Sequence, residues 1–109
     1  MPHRPLSPEQ IDLVADRFRI LGDPTRLRIL SALRDGERNV SDLVRRTGIA
    51  QANLSKHLGL LLRLGFVERR RDGLNAFYSL ADTDVFRLCD LMCGRLEKEL
   101  RARRRALSV

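Results

Sequence analysis

The chain has 109 residues, a formal net charge of +7 and only two cysteines, which describes one small domain without a disulfide framework. No apolar run approaches the roughly 20 residues that cross a bilayer, and the first residues lack a signal-peptide segment. We therefore expect a cytoplasmic protein with no membrane partner. The positive charge favours a polyanionic partner, and nucleic acid first.

The first part of the chain has the periodicity of two helices separated by a glycine. Ser7, Pro8 and Gln10 have the pattern of a capping box with proline in the first turn. The expected apolar face of this first helix comprises Ile11, Val14, Ala15, Phe18 and Leu21. Asp23 and Pro24 predict the start of a second helix. Its expected buried side comprises Leu27, Ile29, Leu30 and Leu33.

Residues 40–65 predict a helix-turn-helix, because two short amphipathic helices are joined by the turn sequence "TGIA". Its expected buried residues are Val40, Leu43, Val44, Leu54, Leu58, Leu61 and Leu62. Residues 66–80 follow as two strand-like segments around the turn signal Asp72-Gly73. A β-hairpin directly after a helix-turn-helix predicts a wing.

From about residue 83 to 105 the chain returns to helical periodicity. The apolar stripe of this closing helix comprises Val85, Leu88, Cys89, Met92, Leu96 and Leu100. Such a helix measures roughly 33 Å at about 1.5 Å per residue, and the rest of the chain is too small to cover it fully. We therefore expect a second copy of the chain to cover the stripe, which makes the protein a homodimer.

The chain resembles the ArsR/SmtB family of dimeric winged-helix repressors in two segments, "LGDPTRLRILSAL" at 21–33 and "VSDLVRRTGIAQANLSKHLGLLLRLGFVERRRDGLNAFYSL" at 40–80. The resemblance implies a mainly α, winged helix-turn-helix fold with a small β-hairpin wing, dimeric through its terminal helices. It also implies a repressor that an effector releases from an inverted-repeat operator in double-stranded DNA. One departure is Ala50, where the family commonly has a serine that can cap the next helix.

The second helix of a helix-turn-helix places its N-terminal residues against base edges in the major groove. The residues expected there are Gln51, Ala52, Asn53, Ser55, Lys56 and His57. Gln and Asn can pair with adenine, whereas Ser and Lys suit phosphate or guanine acceptors. A buried position beside Leu58 is also open to His57. In the wing, Arg70 or Arg71 and Asn75 are expected at the DNA backbone or minor groove, since successive strand residues point to opposite faces.

Cys89 and Cys93 lie one turn apart on one face of the closing helix. The family's cysteine motif at the start of the third helix is missing, and Arg95 and Lys98 lie where the second pair of ligands on the closing helix would fall, which argues against the usual zinc sites. The two thiols can instead share a thiophilic effector such as arsenite, antimonite, cadmium, zinc or copper(I), and Glu97 can add an oxygen ligand. A disulfide across the dimer axis, or packing alone, are the alternatives.

The sequence contains no catalytic constellation and no phosphate-cradling glycine loop, so we do not expect an enzyme. A winged helix that binds protein is the alternative from another class, although such a module needs no arginine-rich wing. A repressor with an organic effector, or with none, also remains open. The roles of the "RARRR" tail at 101–105 and of His3 are open as well.

Overall fold

The computed structural model describes residues 4–108, so His3 lies outside the described residues. The elements are α1 Pro8–Leu21, α2 Pro24–Ala32, β1 Arg38–Asn39, α3 Val40–Thr47, α4 Gln51–Arg63, β2 Val67–Asp72, β3 Asn75–Leu80 and α5 Asp84–Leu107. The predicted winged helix-turn-helix is confirmed: α3 and α4 form the helix-turn-helix, and β2 with β3 forms the wing. The closing helix begins and ends within two residues of its predicted bounds.

Side chains cap three of the first four helices. Ser7 and Gln10 form the predicted capping box at α1, in which each side chain bonds the backbone N–H of the other. Asp23 caps α2 as predicted, and Asn39 caps α3. At α4 the N-cap residue is Ala50, and no side-chain hydrogen bond closes that helix end. The first N–H groups of α4 are therefore free to bind an external acceptor.

Two glycines with positive φ set the turns that position α4 and the wing. Gly48 ends α3 with a φ of 71°, which lets the chain turn sharply into α4. Gly73 has a φ of 62° and is the first central residue of the hairpin turn, where a type II′ turn needs glycine. The second central residue is Leu74, because Asp72 already pairs with Asn75. The turn is therefore centred one residue later than the predicted Asp72-Gly73.

The wing belongs to a three-stranded antiparallel sheet in the order β1-β3-β2. The third strand, β1, was not predicted. Its two residues, Arg38 and Asn39, pair with Tyr78 and Phe77 of β3. A strand of two residues carries no alternation of apolar and polar positions, so the sequence pattern could not reveal it. Through β1 the sheet is joined directly to the start of α3, which fixes the wing against the helix-turn-helix.

One apolar core lies between the first four helices, the sheet and the start of α5. Its buried residues are Ile20, Ile29, Leu30, Leu33, Leu43, Ile49, Leu54, Leu58, Leu61, Val67, Tyr78, Val85 and Phe86. Several expectations need correction. Leu27 is exposed, whereas Leu62, like Val40 and Val44, is only half-buried at the edge of the core. Phe86 is buried although the predicted stripe of α5 does not include it, because it faces Leu27 and Leu30 of α2.

Within residues 4–108, nothing covers the apolar faces of α1 and α5. The predicted apolar face of α1 is exposed in the single chain, since Ile11, Val14 and Phe18 are all exposed and Ile20 alone of that helix is buried. On α5 the exposed large apolar residues are Leu88, Leu91, Met92, Leu96, Leu100 and Leu107. Exposed apolar patches of this extent are typical of interaction surfaces. No helix in residues 4–108 is both long and apolar enough to cross a membrane.

Arg38 joins α2 to α3 through a carboxylate that three arginines share. Its Nε donates to the Ala32 carbonyl at 2.9 Å and its Nη1 to Asp42 Oδ2 at 2.8 Å. Arg45 and Arg46 also contact this carboxylate, at 2.7 and 3.4 Å. The hydrogen bond from Arg38 is the main reason that the pKa of Asp42 lies below its ordinary value of 3.8.

We expect Asp42→Asn to make folding stability less sensitive to acid. Because the pKa of Asp42 is lower in the folded chain, its ionised form contributes stability that is complete above pH 3.8 and is lost as the pH falls below that value. The variant should be less stable than the wild type at pH 7 and lose less on acidification to pH 2.5. Urea unfolding at both pH values measures this, with Asp12→Asn on exposed α1 as the control. Equal acid sensitivity of wild type and Asp42→Asn would contradict it.

Candidate nucleic-acid interface and thiol pair

The outer face of α4 presents a row of unpaired polar side chains. Leu54 and Leu58 are buried beneath the helix and fix its orientation. The exposed residues on the opposite side and at its start are Gln51, Ala52, Asn53, Ser55 and Lys56. Within residues 4–108, none of these side chains makes a hydrogen bond or an ion pair, so their donors and acceptors are available to a ligand. The free N–H groups after Ala50 lie at the same end of the helix.

His57 differs from the other predicted DNA-contacting residues of α4. Its ring is half-buried, and its Nδ1 lies 3.3 Å from Nη1 of Arg26. His57 lies on α4 and packs against the α1–α2 corner, which is close to the buried alternative, and its contact with DNA stays a prediction. Arg26 was missed by the sequence analysis. The spacing from Asp23 to Arg26 reveals a local pair on α2, but it gives no signal of a contact with α4.

The three consecutive wing arginines are divided between the two faces of the hairpin. Arg70 makes a two-pronged bond to Glu37, at 3.1 and 2.7 Å, and its guanidinium lies 4.8 Å from the Phe77 ring centroid. This pairing lowers the pKa of Glu37 and raises that of Arg70, mainly through the hydrogen bond between them. Arg70 is therefore engaged within the chain, and a phosphate would have to compete with Glu37 for it.

Arg71 remains available on the other face of the hairpin. It is exposed and makes no ion pair or hydrogen bond within residues 4–108. Asn75 is exposed at the tip, but it pairs with Asp72 and so lies on the same face as Arg70. The structure therefore does not bring Arg71 and Asn75 together on one face. Of the two arginines predicted to contact DNA, Arg71 is the one with a free guanidinium.

Cys89 and Cys93 open onto a groove of about 240 Å³ between α2 and α5. Both thiols are free, with Cys89 half-buried and Cys93 exposed. The groove is lined by Leu27, Leu30, Ser31, Arg34, Val85, Phe86, Asp90 and the two cysteines. By helical periodicity the thiols lie on the same side of α5 as the buried Val85 and Phe86, and Leu96 of the uncovered apolar face follows Cys93 within one turn. They are therefore next to both α2 and the surface that a second copy would cover.

Arg34 closes one side of this groove. It lies 3.1 Å from Asp90 and 4.7 Å from the centroid of the Phe86 ring, and so links the end of α2 to α5. Glu97 lies one turn beyond Cys93 and is exposed. Within residues 4–108, no three His, Cys, Asp or Glu side chains are gathered as a metal site, so Glu97 does not join the thiols inside one chain. One copy therefore offers a two-thiol donor set.

Two helices joined by a tight turn and followed by a hairpin define a winged helix-turn-helix protein, and the free polar face of α4 is the surface such proteins present to a ligand. The model of the family described as "Bacterial regulatory protein, arsR family" matches residues 23–69. This chain belongs to that family.

Known proteins similar to this chain include regulators and solved winged-helix domains. A probable mercury resistance operon repressor of Streptomyces lividans is 43% identical over 74 residues, which are 68% of this chain and 59% of that protein. The chain thus spans less than two thirds of that relative. The crystal structure of Mycobacterium tuberculosis Rv0081 matches with a TM-score of 0.77 and 36% identity, covering 90% of this chain and 98% of that one.

A third similar protein is the homodimeric winged helix-turn-helix DNA-binding domain of Mb0332 from Mycobacterium bovis. Its solution structure matches with a TM-score of 0.73 and 33% identity, covering 90% of this chain and 94% of that one. The resemblance to the ArsR/SmtB family, first based on two sequence segments, is therefore confirmed over nearly the whole fold.

Proposed function

We propose that this chain is a transcriptional repressor that binds an inverted-repeat operator in double-stranded DNA as a homodimer. The observation that carries the proposal is the outer face of α4, where an uncapped helix start and unpaired polar side chains stand together on a basic chain. Such a face fits the major groove, in which side chains contact base edges and helix N–H groups contact phosphate. The Streptomyces lividans relative is named as a repressor, which supports the same function.

The proposed contacts divide into base reading and phosphate binding. Gln51 and Asn53 have the amide groups that pair with adenine, and Ala52 offers a methyl group for apolar contact with thymine. Ser55 and Lys56 suit phosphate or guanine acceptors. The wing residue Arg71 suits the phosphates of the DNA backbone. Arg70 and Asn75 are proposed to contribute less to DNA binding than Arg71, because Arg70 is already paired with Glu37.

Two copies are proposed to meet through the uncovered faces of α1 and α5. These faces carry most of the exposed large apolar side chains of the chain, including Phe18, Met92 and Leu96. Burying them between two copies removes that apolar surface from water, which is the main driving force for association. A two-fold dimer then places two copies of α4 one DNA turn apart, or a multiple of that, and predicts an inverted repeat. The homodimeric domain from Mycobacterium bovis supports this assembly.

We expect Arg71→Gln to weaken DNA binding to every sequence and to lower the slope of log affinity against log salt by about 1. Asn53→Ala should instead weaken binding only to the operator, because it removes a base contact. Fluorescence anisotropy with labelled upstream DNA and a scrambled duplex, from 50 to 300 mM salt, measures both effects. Arg87→Gln, an equal loss of charge at the start of α5, is the matched control. Equal affinity of the wild type for both duplexes would refute the proposed function and favour a protein-binding winged helix.

The proposed effector is a thiophilic metal or metalloid ion held by Cys89 and Cys93. The donors fit such an ion, since two thiols one turn apart share a groove and thiolates select soft ions. Arsenite, antimonite, cadmium, zinc and copper(I) are the candidates, to which the mercury-resistance relative adds mercury(II). Zinc takes about four ligands, so a zinc ion would need thiols from both copies. An effector at this edge of α5 would act on the dimer surface and on α2 together.

A further inference from the structure

The guanidinium of Arg26 is largely buried beside α4, the helix proposed to contact DNA bases. Only 14% of its side chain is exposed. Its Nε donates to the carbonyl of Ile20 at 2.7 Å, at the end of α1. Its Nη2 lies 3.7 Å from Asp23 Oδ2, and its Nη1 lies 3.3 Å from Nδ1 of His57. A single side chain thus joins the end of α1, the cap of α2 and the middle of α4.

The contact between Arg26 and His57 determines which ring nitrogen of His57 carries the hydrogen. Arginine has five N–H donors, no acceptor, and keeps its charge in proteins. Nδ1 of His57 must therefore accept the hydrogen bond from Arg26, and the ring hydrogen of the neutral imidazole lies on Nε2. Within residues 4–108, Nε2 of His57 has no hydrogen-bond partner. Orientation of one ring nitrogen by a fixed partner is how proteins commonly set the role of the other nitrogen.

We infer that Arg26 is a positioning residue for DNA binding, which holds His57 as the Nε2–H tautomer so that this N–H can donate to a DNA phosphate. The inference rests on the proposed function. His57 lies one helical turn after the exposed Asn53 on α4, so a donor at its ring edge stands next to that polar side chain. The carboxylate of Asp23 balances the charge of Arg26, and the backbone N–H of Arg26 is the main cause of the lowered pKa of Asp23. The contact between Arg26 and His57 is therefore already formed in the chain without DNA.

The test combines a spectroscopic signature with DNA affinity. In Arg26→Met the alkyl stem remains while all donors are lost, and ¹⁵N NMR of the His57 ring should change from the Nε2–H tautomer to a mixture of both tautomers. Operator affinity should fall by about tenfold, the order expected for losing one hydrogen bond to a charged group, and affinity for a scrambled duplex should fall by a similar factor, because a phosphate contact does not depend on sequence. Arg28→Met, an exposed neighbour on α2, is the matched control and should change neither value.

Two further variants separate a DNA role from a structural one. His57→Asn can still accept from Arg26 but lacks the Nε2 donor, so it should keep the melting temperature and lose operator affinity. His57→Phe should lose both. If Arg26→Met does not fold, Arg26→Lys at the same readouts replaces it, since lysine cannot make the three-way contact.

The inference is overturned if the ring tautomer is unchanged in the Arg26 variant, or if His57→Asn binds the operator like the wild type. A wild-type protein that does not distinguish operator from scrambled DNA would instead refute the proposed function, while the NMR result would still report the Arg26–His57 contact.

Discussion

Leu96→Glu is expected to turn the proposed dimer into monomers and to weaken operator binding by at least about 100-fold, the loss typical when two linked sites become independent. Leu96 is half-exposed in the single chain, on the part of α5 that the fold leaves uncovered. In the proposed dimer the introduced carboxylate would be buried in the apolar interface of each copy. Burying two unpaired charges costs far more than the apolar contact that they replace.

The oligomeric state and DNA affinity must change together for this prediction to hold. Analytical ultracentrifugation at micromolar concentration measures the state, and anisotropy on a full inverted repeat and on a single half-site measures affinity. The variant should bind the two duplexes equally, whereas the wild type prefers the full repeat. Ala102→Glu adds the same charge to another side of α5 and is the matched control. A Leu96→Glu protein that remains dimeric would show that other surfaces join the copies.

The sequence predicted those parts of the fold whose signals are local. The capping box of Ser7 and Gln10, the turn glycine at Gly48 and the missing cap at Ala50 each depend on residues a few positions apart, and each appears as expected. The alternation and turn signals of the wing are equally local, and an error of one residue in the turn did not affect the hairpin.

The contacts that define the candidate site are mostly long-range and were not predictable. Arg26 reaches His57 across 31 residues of sequence, and Arg70 reaches Glu37 across 33. In the sequence alone, Arg26, Arg70 and Glu37 have the pattern of solvent-exposed charges, which does not indicate a particular partner. The periodicity of α1 did identify an apolar face correctly, but it could not tell burial inside one chain from burial between two copies. The exposed Phe18 illustrates this, because amphipathic patterning is the same in both cases.

Replacing Cys89 and Cys93 together with serine is expected to leave operator binding intact and to abolish its release by thiophilic ions. The groove that holds both thiols has no lining residue from α4, so the free protein should bind DNA with unchanged affinity. In the wild type a bound ion should weaken operator affinity by roughly 5- to 150-fold, the usual range of coupling between two sites. Serine hydroxyls are poor ligands for soft ions, so this coupling should disappear in the double variant.

The titration is best done on the preformed complex, with a non-thiol reductant present. Arsenite, cadmium, zinc and mercury(II) are added in turn to the wild type, to the double variant and to Ser31→Ala, which alters the same groove without removing a thiol. Release from the wild type and from Ser31→Ala, but not from the double variant, is the expected result. Retained release in the double variant would place the effector elsewhere.

The groove also provides a path by which an ion bound to the thiols would affect α4, the helix proposed to contact DNA bases. An ion on Cys89 and Cys93 would lie beside Asp90, whose bond to Arg34 links α5 to α2, and α2 packs against the helix-turn-helix. An effector shifts an equilibrium only by its difference in affinity for two states, so the ion must favour a different arrangement of this link.

Arg34→Gln is therefore the informative companion to the double cysteine variant. It should keep metal binding and DNA binding but weaken their coupling. A mild oxidant added without reductant distinguishes the metal sensor from the remaining alternative, a redox switch. In that alternative one thiol from each copy gives up a proton and an electron to the oxidant, and a disulfide joins the copies. DNA release accompanied by that cross-link, and by no response to metal, would make the pair a redox switch. Undisturbed binding in every arm would make both cysteines packing residues.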